Sequence, residues 1–209
     1  MDKEKCDIII AFCDTINIKE CLSTEQVTAI ISKENPMSDK HPSREECFAL
    51  LKKYNTPAHV IRHCVKVTDT ALKIGKALNK IGCHLNLDLI QGAGLIHDIA
   101  RVHDKHWDIG AEIASGLGYQ QEADIIKVHM FYICDPMKEP IKEIDIICLS
   151  DRMVKEDRYV GLEARMQYVL DKFKHDQEAR ERIRERMLDN KAMINKIERL
   201  IGTSIDSLM

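Results

Sequence analysis

The chain has 209 residues, of which 44% are hydrophobic and 31% charged, with only 9 glycines and 5 prolines. This composition excludes collagen-like, low-complexity and broadly disordered classes, and the length predicts one globular domain with an appendage. A formal charge of -3 supplies no global field for a polyanion such as DNA, so no nucleic-acid polymer is expected as a partner and any phosphate chemistry has to be local.

The start, Met1-Asp2-Lys3-Glu4-Lys5, mixes both signs of charge, and the most apolar early run, residues 8–13, is closed by Asp14. No stretch approaches the roughly 18 apolar residues of a membrane span, so a soluble cytoplasmic protein is expected. Residues 7–12 are too few to tell a strand from a helix. Asn35-Pro36-Met37-Ser38-Asp39-Lys40-His41-Pro42 reads as a linker, and Ser43-Arg44-Glu45-Glu46 as a capping box that starts a helix. The main domain is therefore expected over 43–209. Residues 1–42 form an N-terminal extension with no assigned role: capping the site, dimerisation and packing on the helices are all open, and a homo-oligomer is allowed.

From the turn Asn55-Thr56-Pro57, the apolar positions Val60, Cys64, Val67, Ala71, Ile74 and Leu78 step as one helical face, and Gly82 ends the run. A second helix is expected over 87–100, with so little charge before Asp98 that it should be buried nearly all round. Further helices are expected over 108–117, from 121 towards 131, and over 141–154. After a loop at 157–161, Leu162, Met166, Val169 and Phe173 mark another, and Ile183, Met187, Ile194 and Ile197 the last. The fold class is all-α. Eight cysteines without a Cys-x-x-Cys pair, several inside apolar runs, read first as small buried hydrophobes, with a disulfide framework or thiolate site as the alternative.

His97 and Asp98 lie in the most apolar helix, where a carboxylate stripped of water costs several kcal/mol unless it is paired or bound to a cation. The plain alternative is that His97 bonds a carbonyl and Asp98 an arginine such as Arg62 or Arg101. However, His63 sits beside the Val60/Val67 stripe and Asp151 follows Ile146-Ile147-Cys148-Leu149, so inward-facing ligand types come from three separate helices. His59, one turn before His63, competes for that role on spacing alone.

These residues resemble the HD-domain superfamily of metal-dependent phosphohydrolases. The resemblance rests on His63-Cys64-Val65-Lys66-Val67, on Ala93-Gly94-Leu95-Ile96-His97-Asp98-Ile99-Ala100 and on Leu149-Ser150-Asp151-Arg152-Met153-Val154, in that order, and covers about residues 43–201. It implies an all-helical fold with a metal held by His63, His97, Asp98 and Asp151. His106-Trp107-Asp108-Ile109-Gly110-Ala111 and Val128-His129-Met130 are similar to the added histidine elements of members that hold two metals, with the doublet's Asp bridging both. The overall texture is similar to small HD hydrolases, including those attached to nucleotidyltransferases of the molybdenum-cofactor type and the di-iron dinucleoside tetraphosphatases. The chain departs from the broader pattern at Arg101, where a lysine often stands.

The resemblance thus implies a hydrolase acting on a small phosphorylated molecule, a nucleotide foremost, through water activated by one or two divalent ions (Fe, Mn, Zn, Co or Ni). Asp98 and Arg101 are the expected catalytic groups, and Lys66, Arg101, Lys105 and Arg152 the expected phosphate contacts. Two rivals stand beside this reading: an HD-type di-iron oxygenase and a nucleotide-sensing module without turnover. His41, His84 and His175 are expected on the surface, and His103 is left open as a site contact.

Overall fold

Ser43 opens the first helix of the described residues by accepting a hydrogen bond from the Glu46 amide at 3.2 Å while the Glu46 carboxylate accepts one from the Ser43 amide at 2.8 Å. Two of the donors at that helix end are thereby satisfied, as the capping box predicts. The computed structural model describes residues 40–209. The apolar run at 8–13 and the linker-like residues 35–39 lie outside the described residues. The described chain forms α1 (Arg44–Lys53), α2 (Ala58–Lys80), α3 (Leu87–Ile96), α4 (His106–Gly116), α5 (Gln120–Val128) and α6 (Glu143–Asp151), then a hairpin of β1 (Val154–Lys155) and β2 (Arg158–Tyr159), then α7 (Gly161–Lys172) and α8 (Gln177–Ile201). The all-helical class holds, and no helix among the described residues is long and apolar enough to cross a membrane.

α3 is buried all round because it serves two cores. Leu89, Ile90 and Ala93 pack with Ala71, Ile74 and Leu78 of α2 and with Ile146, Ile147 and Leu149 of α6. Leu95 and Ile96, with Ile99 and Ala100 beyond the helix end, pack instead with Leu51 of α1, Ala111 and Ala114 of α4 and Ile126 of α5. The approach of α3 to α2 is close at Gly94, where a Cβ would stand 2.7 Å from Thr68 Oγ1 and 3.3 Å from Thr68 Cα. Only glycine fits there, and that seats the following His97 against α2.

Three boundaries differ from the periodicity. α3 stops at Ile96, and residues 97–104 continue through tighter i→i+3 bonds, Ile99 N–H to Ile96 O at 3.0 Å and Arg101 N–H to Asp98 O at 3.0 Å. Apolar spacing changes little between these windings, so the sequence cannot separate them. α6 ends at Asp151, short of the expected 154, and a two-stranded antiparallel hairpin, Val154 opposite Tyr159 and Lys155 opposite Arg158, takes in the end of the expected helix and part of the expected loop at 157–161. α4 starts two residues early, on His106 itself, from a left-handed Lys105 (φ 53°). His41 is a further correction: its side chain is only 7% exposed, with Nδ1 2.7 Å from Glu122 Oε1. Glu122 is fully buried and needs a donor, which the chain supplies from 81 residues away. His84 and His175 are exposed as expected. Cys47, Cys64, Cys134 and Cys148 are buried free thiols, the first pushed by burial to about 12 and the third to about 11.

Candidate metal centre

His63 projects from the edge of the buried Val60–Cys64–Val67 face of α2, whereas the other five ligand candidates stand at helix ends. His97 caps α3 with Asp98 beside it, His106 is the first residue of α4, His129 caps α5 and Asp151 is the last residue of α6. Helix ends that converge on one point bring these side chains together without any element entering the centre. The rings form a chain, with centroids 5.7 Å apart for His63–His97, 5.4 Å for His97–His129 and 5.5 Å for His129–His106.

Backbone carbonyls orient three of the imidazoles. The Nδ1–H of His97 donates to Gly94 O at 2.7 Å, that of His129 to Ile126 O at 2.7 Å and that of His63 to Glu156 O at 2.8 Å. Each ring therefore turns Nε2 inward. His63 Nε2 lies 2.9 Å from Asp151 Oδ1, while His97 Nε2 is buried with no hydrogen-bond partner among the described residues. Asp98 spreads its two oxygens: Oδ1 is 3.2 Å from His106 Nε2 and 3.7 Å from His129 Nε2, whereas Oδ2 is 3.9 Å from His97 Nε2 and 3.4 Å from Arg101 Nε. Two triplets result, His63–His97–Asp151 and Asp98–His106–His129, each with ligand atoms within 4.8 Å of one another.

Burial alone would raise both carboxyls, but the His97, His106 and His129 rings with Arg101 hold Asp98 well below the usual carboxylate range, and His63 with His97 does the same for Asp151. Burial works against protonation of His63 and His129 too. The carboxylates beside them, Asp151 for His63 and Asp98 for His129, prevail and raise them, whereas burial dominates at His97 and lowers it. The donor set fits divalent transition ions. It is entirely imidazole and carboxylate, no cysteine joins either triplet, and the orphaned Nε2 of His97 is a buried lone pair that a cation satisfies.

His63, Asp98, His129 and Asp151 floor a cavity of about 360 Å³ that is also lined by Lys155, Arg165, Tyr168 and Lys172 from the hairpin and α7. Arg101, half exposed, also lines it and stands with Nη1 3.2 Å from His106 Nδ1, so it engages the site and not Asp104. The other expected phosphate contacts lie elsewhere. Lys66 lines a separate cavity of about 410 Å³ with Asp157 and Arg158, on the other side of the hairpin. Lys105 is exposed and caps α4. Arg152 follows Asp151 by one residue, about 100° around the helix, and so turns away into the protein. There its Nη1 donates to Asn190 Oδ1 at 2.8 Å and its Nη2 to Tyr132 O. His59 lines the cavity mouth but joins neither triplet, and His103 is exposed outside it. The α7 cations and Tyr168 escape sequence reading because a Lys/Arg-bearing helix face ordinarily means solvent.

The family model described as HD domain matches residues 60–173. The chain is also similar to an uncharacterized protein of Methanocaldococcus jannaschii, 31% identical over 85 residues that cover 39% of this chain and 50% of that protein. The chain thus spans about half the length of the curated relative it matches. No solved structure matches it significantly.

Proposed function

The chain belongs to the HD-domain family, whose members are generally metal-dependent hydrolases, and on that premise we propose that it is a metal-dependent phosphohydrolase acting on a small phosphorylated molecule of the nucleotide class. The observation that carries this reading is the set of three imidazoles pinned through Nδ1–H to carbonyls, with their Nε2 atoms turned towards Asp98 and Asp151. An Nε2 lone pair facing a carboxylate is repulsive unless a proton or a metal cation lies between them. In this reading His63, His97 and Asp151 hold one divalent ion and Asp98, His106 and His129 a second, with the two Asp98 oxygens facing opposite sides. Bound there, such ions supply Lewis-acid polarisation of a phosphoryl oxygen and a nucleophile drawn from water at neutral pH.

The protein's own groups do the rest. The carbonyls of Gly94, Ile126 and Glu156 fix ring orientation, so little reorganisation accompanies binding. Arg101 presents a half-exposed guanidinium beside Asp98, where it offsets charge growing on phosphoryl oxygens. No serine or cysteine nucleophile is called for, and the buried Cys64 beside the floor is held as a thiol by burial. The test is metal analysis of untagged protein purified without chelator, followed by a nucleotide hydrolysis screen with the metal found, run with and without oxygen. Phosphate release that survives anaerobic conditions and stops on chelation supports the reading. Oxygen-dependent turnover would transfer the site to an oxygenase, and stoichiometric nucleotide binding without product to a sensor.

A further inference from the structure

Three cations gather on one aromatic ring in the outer wall of the cavity. Lys155 Nζ stands 4.1 Å from the Tyr168 centroid, Lys172 Nζ 4.4 Å and the Arg165 guanidinium 5.7 Å. Arg165, Tyr168 and Lys172 share one face of α7 at i, i+3 and i+7, and Lys155 reaches them from β1. Arg165 is tethered, its Nε donating to Val154 O at 2.8 Å. The hairpin and the helix are thus locked together with their positive charges on one side.

Such a grouping calls for an anion. Other cations of the domain have carboxylate partners, as Arg62 has Asp157, Lys191 has Glu163 and Lys196 has Glu139. Among the described residues no ion pair includes Lys155, Arg165 or Lys172. A ring quadrupole attracts each cation singly, but three held within about 6 Å of one centroid repel one another. The acidic side chains lining the cavity are Asp98 and Asp151, both at the floor, and Glu156 at the hairpin turn. A nucleobase does not explain the cluster, since stacking would have to displace the lysines already over the ring. Phosphate oxygens bind where the lysines are.

We propose that Lys155, Arg165 and Lys172, ordered around Tyr168, form a subsite for a second phosphoryl group, so that the substrate is a small molecule carrying a phosphate chain with one phosphoryl group at the histidine–carboxylate floor and another at this rim. The proposal rests on the phosphohydrolase reading of the floor and names the substrate class for it. A chain of this kind comes either from a nucleoside polyphosphate or from inorganic polyphosphate, and both present the same oxygens to the subsite.

Calorimetric titration of the metal-loaded full chain tests this through affinity, with orthophosphate, tripolyphosphate, AMP and ADP as probes and phosphate release from each measured alongside. Tripolyphosphate should bind roughly a hundredfold more tightly than orthophosphate, and ADP at least about tenfold more tightly than AMP, each lysine contact being worth about tenfold. The double variant Lys155→Ala/Lys172→Ala should lose this preference, roughly a hundredfold in tripolyphosphate affinity, while keeping its metal content and its orthophosphate affinity. Lys155→Gln/Lys172→Gln, which retains the packing of the stems, should lose it equally. The ratio of ADP to tripolyphosphate affinity separates the two sources. Equal affinity for long and short probes in the unaltered protein, or a preference that survives both double variants, overturns the subsite. A lysine-dependent preference without hydrolysis of any probe sinks the hydrolase reading and leaves the subsite standing.

Discussion

The floor and the rim of the cavity solve opposite electrostatic problems. The floor gathers four histidines and two carboxylates, of which His97, Asp98, His106 and His129 are buried, so each group there is costly unless oriented and neutralised, and backbone carbonyls orient three of the rings. The rim leaves three cations near solvent, where each is cheap and only their crowding on Tyr168 is unusual. Chemistry that needs fixed geometry is built from groups that cannot sit inside a protein by accident, whereas recognition is built from groups that can sit anywhere on a surface. Substitutions at the two walls should therefore fail differently, the floor through metal and turnover, the rim through affinity.

Asp98→Ala gives the largest expected effect. It removes the carboxylate that faces both triplets, so kcat/KM should fall a thousandfold or more, on the order of 4 kcal/mol, and metal content should drop with it. Metal analysis beside a rate measurement checks both, and full activity with full metal would dissolve the distinction between floor and rim. Arg101 lies between the walls and sharpens it. Arg101→Ala should keep the metal but lose roughly 2 to 4 kcal/mol of transition-state stabilisation, with Arg101→Lys recovering part because charge survives without the planar fork. An unchanged kcat/KM for Arg101→Ala would move phosphate recognition wholly to the rim.

Arg152→Ala belongs to neither wall. Its guanidinium is spent on Asn190, Cys134 and Tyr132, so the change should cost about 2 kcal/mol of stability, read as a lower thermal midpoint. A raised KM with an unaltered midpoint would return Arg152 to the phosphate contacts.

The smallest effect is a pH dependence whose sign reverses with metal. His63 and His129 are raised above their unfolded value of about 6.5, so in metal-free protein their stabilisation is complete below that pH and is lost as pH rises through the raised values. His97, lowered by burial, contributes the opposite sign, but only as pH falls below its unfolded value of about 6.5, so the two raised groups govern most of the interval between pH 8 and pH 6. Chelator-treated protein should thus gain on the order of 1 kcal/mol between pH 8 and pH 6. The metal-loaded protein should lose stability over the same interval, because protons compete for the imidazoles. Calorimetric midpoints at the two pH values, with and without chelator, decide it, and parallel slopes would remove the floor's claim to a metal.

The two walls also differ in how far the sequence reveals them. His63, His97, Asp98 and Asp151 stand out because polar ligands interrupt apolar runs, and every core position of α2 from Val60 to Leu78 follows from spacing. Lys66 and Arg152 mislead because adjacency to a ligand along the chain says nothing of direction. One is on the far side of the hairpin and the other is turned inward. The rim is invisible because Arg165 and Lys172 look like solvated helix charges until Lys155 arrives from a different element. The pairing of His41 with Glu122 is hidden for a related reason, being a contact across 81 residues that no local pattern encodes.

The hairpin after α6 links the two walls. Its turn residue Glu156 takes a left-handed conformation, φ 56°, and offers its carbonyl to His63, while its neighbour Lys155 reaches Tyr168. One two-residue turn thereby acts as a gauge block: the same length of chain sets the aim of a floor imidazole and the position of a rim cation. Loop exchange, a common route to altered selectivity in enzymes whose binding loops are separate from their catalytic scaffold, is closed here, since an inserted or deleted residue at this turn shifts both settings at once. Selectivity is free to drift by side-chain replacement, at Lys155 or along α7, one charge at a time, against a floor that stays in register.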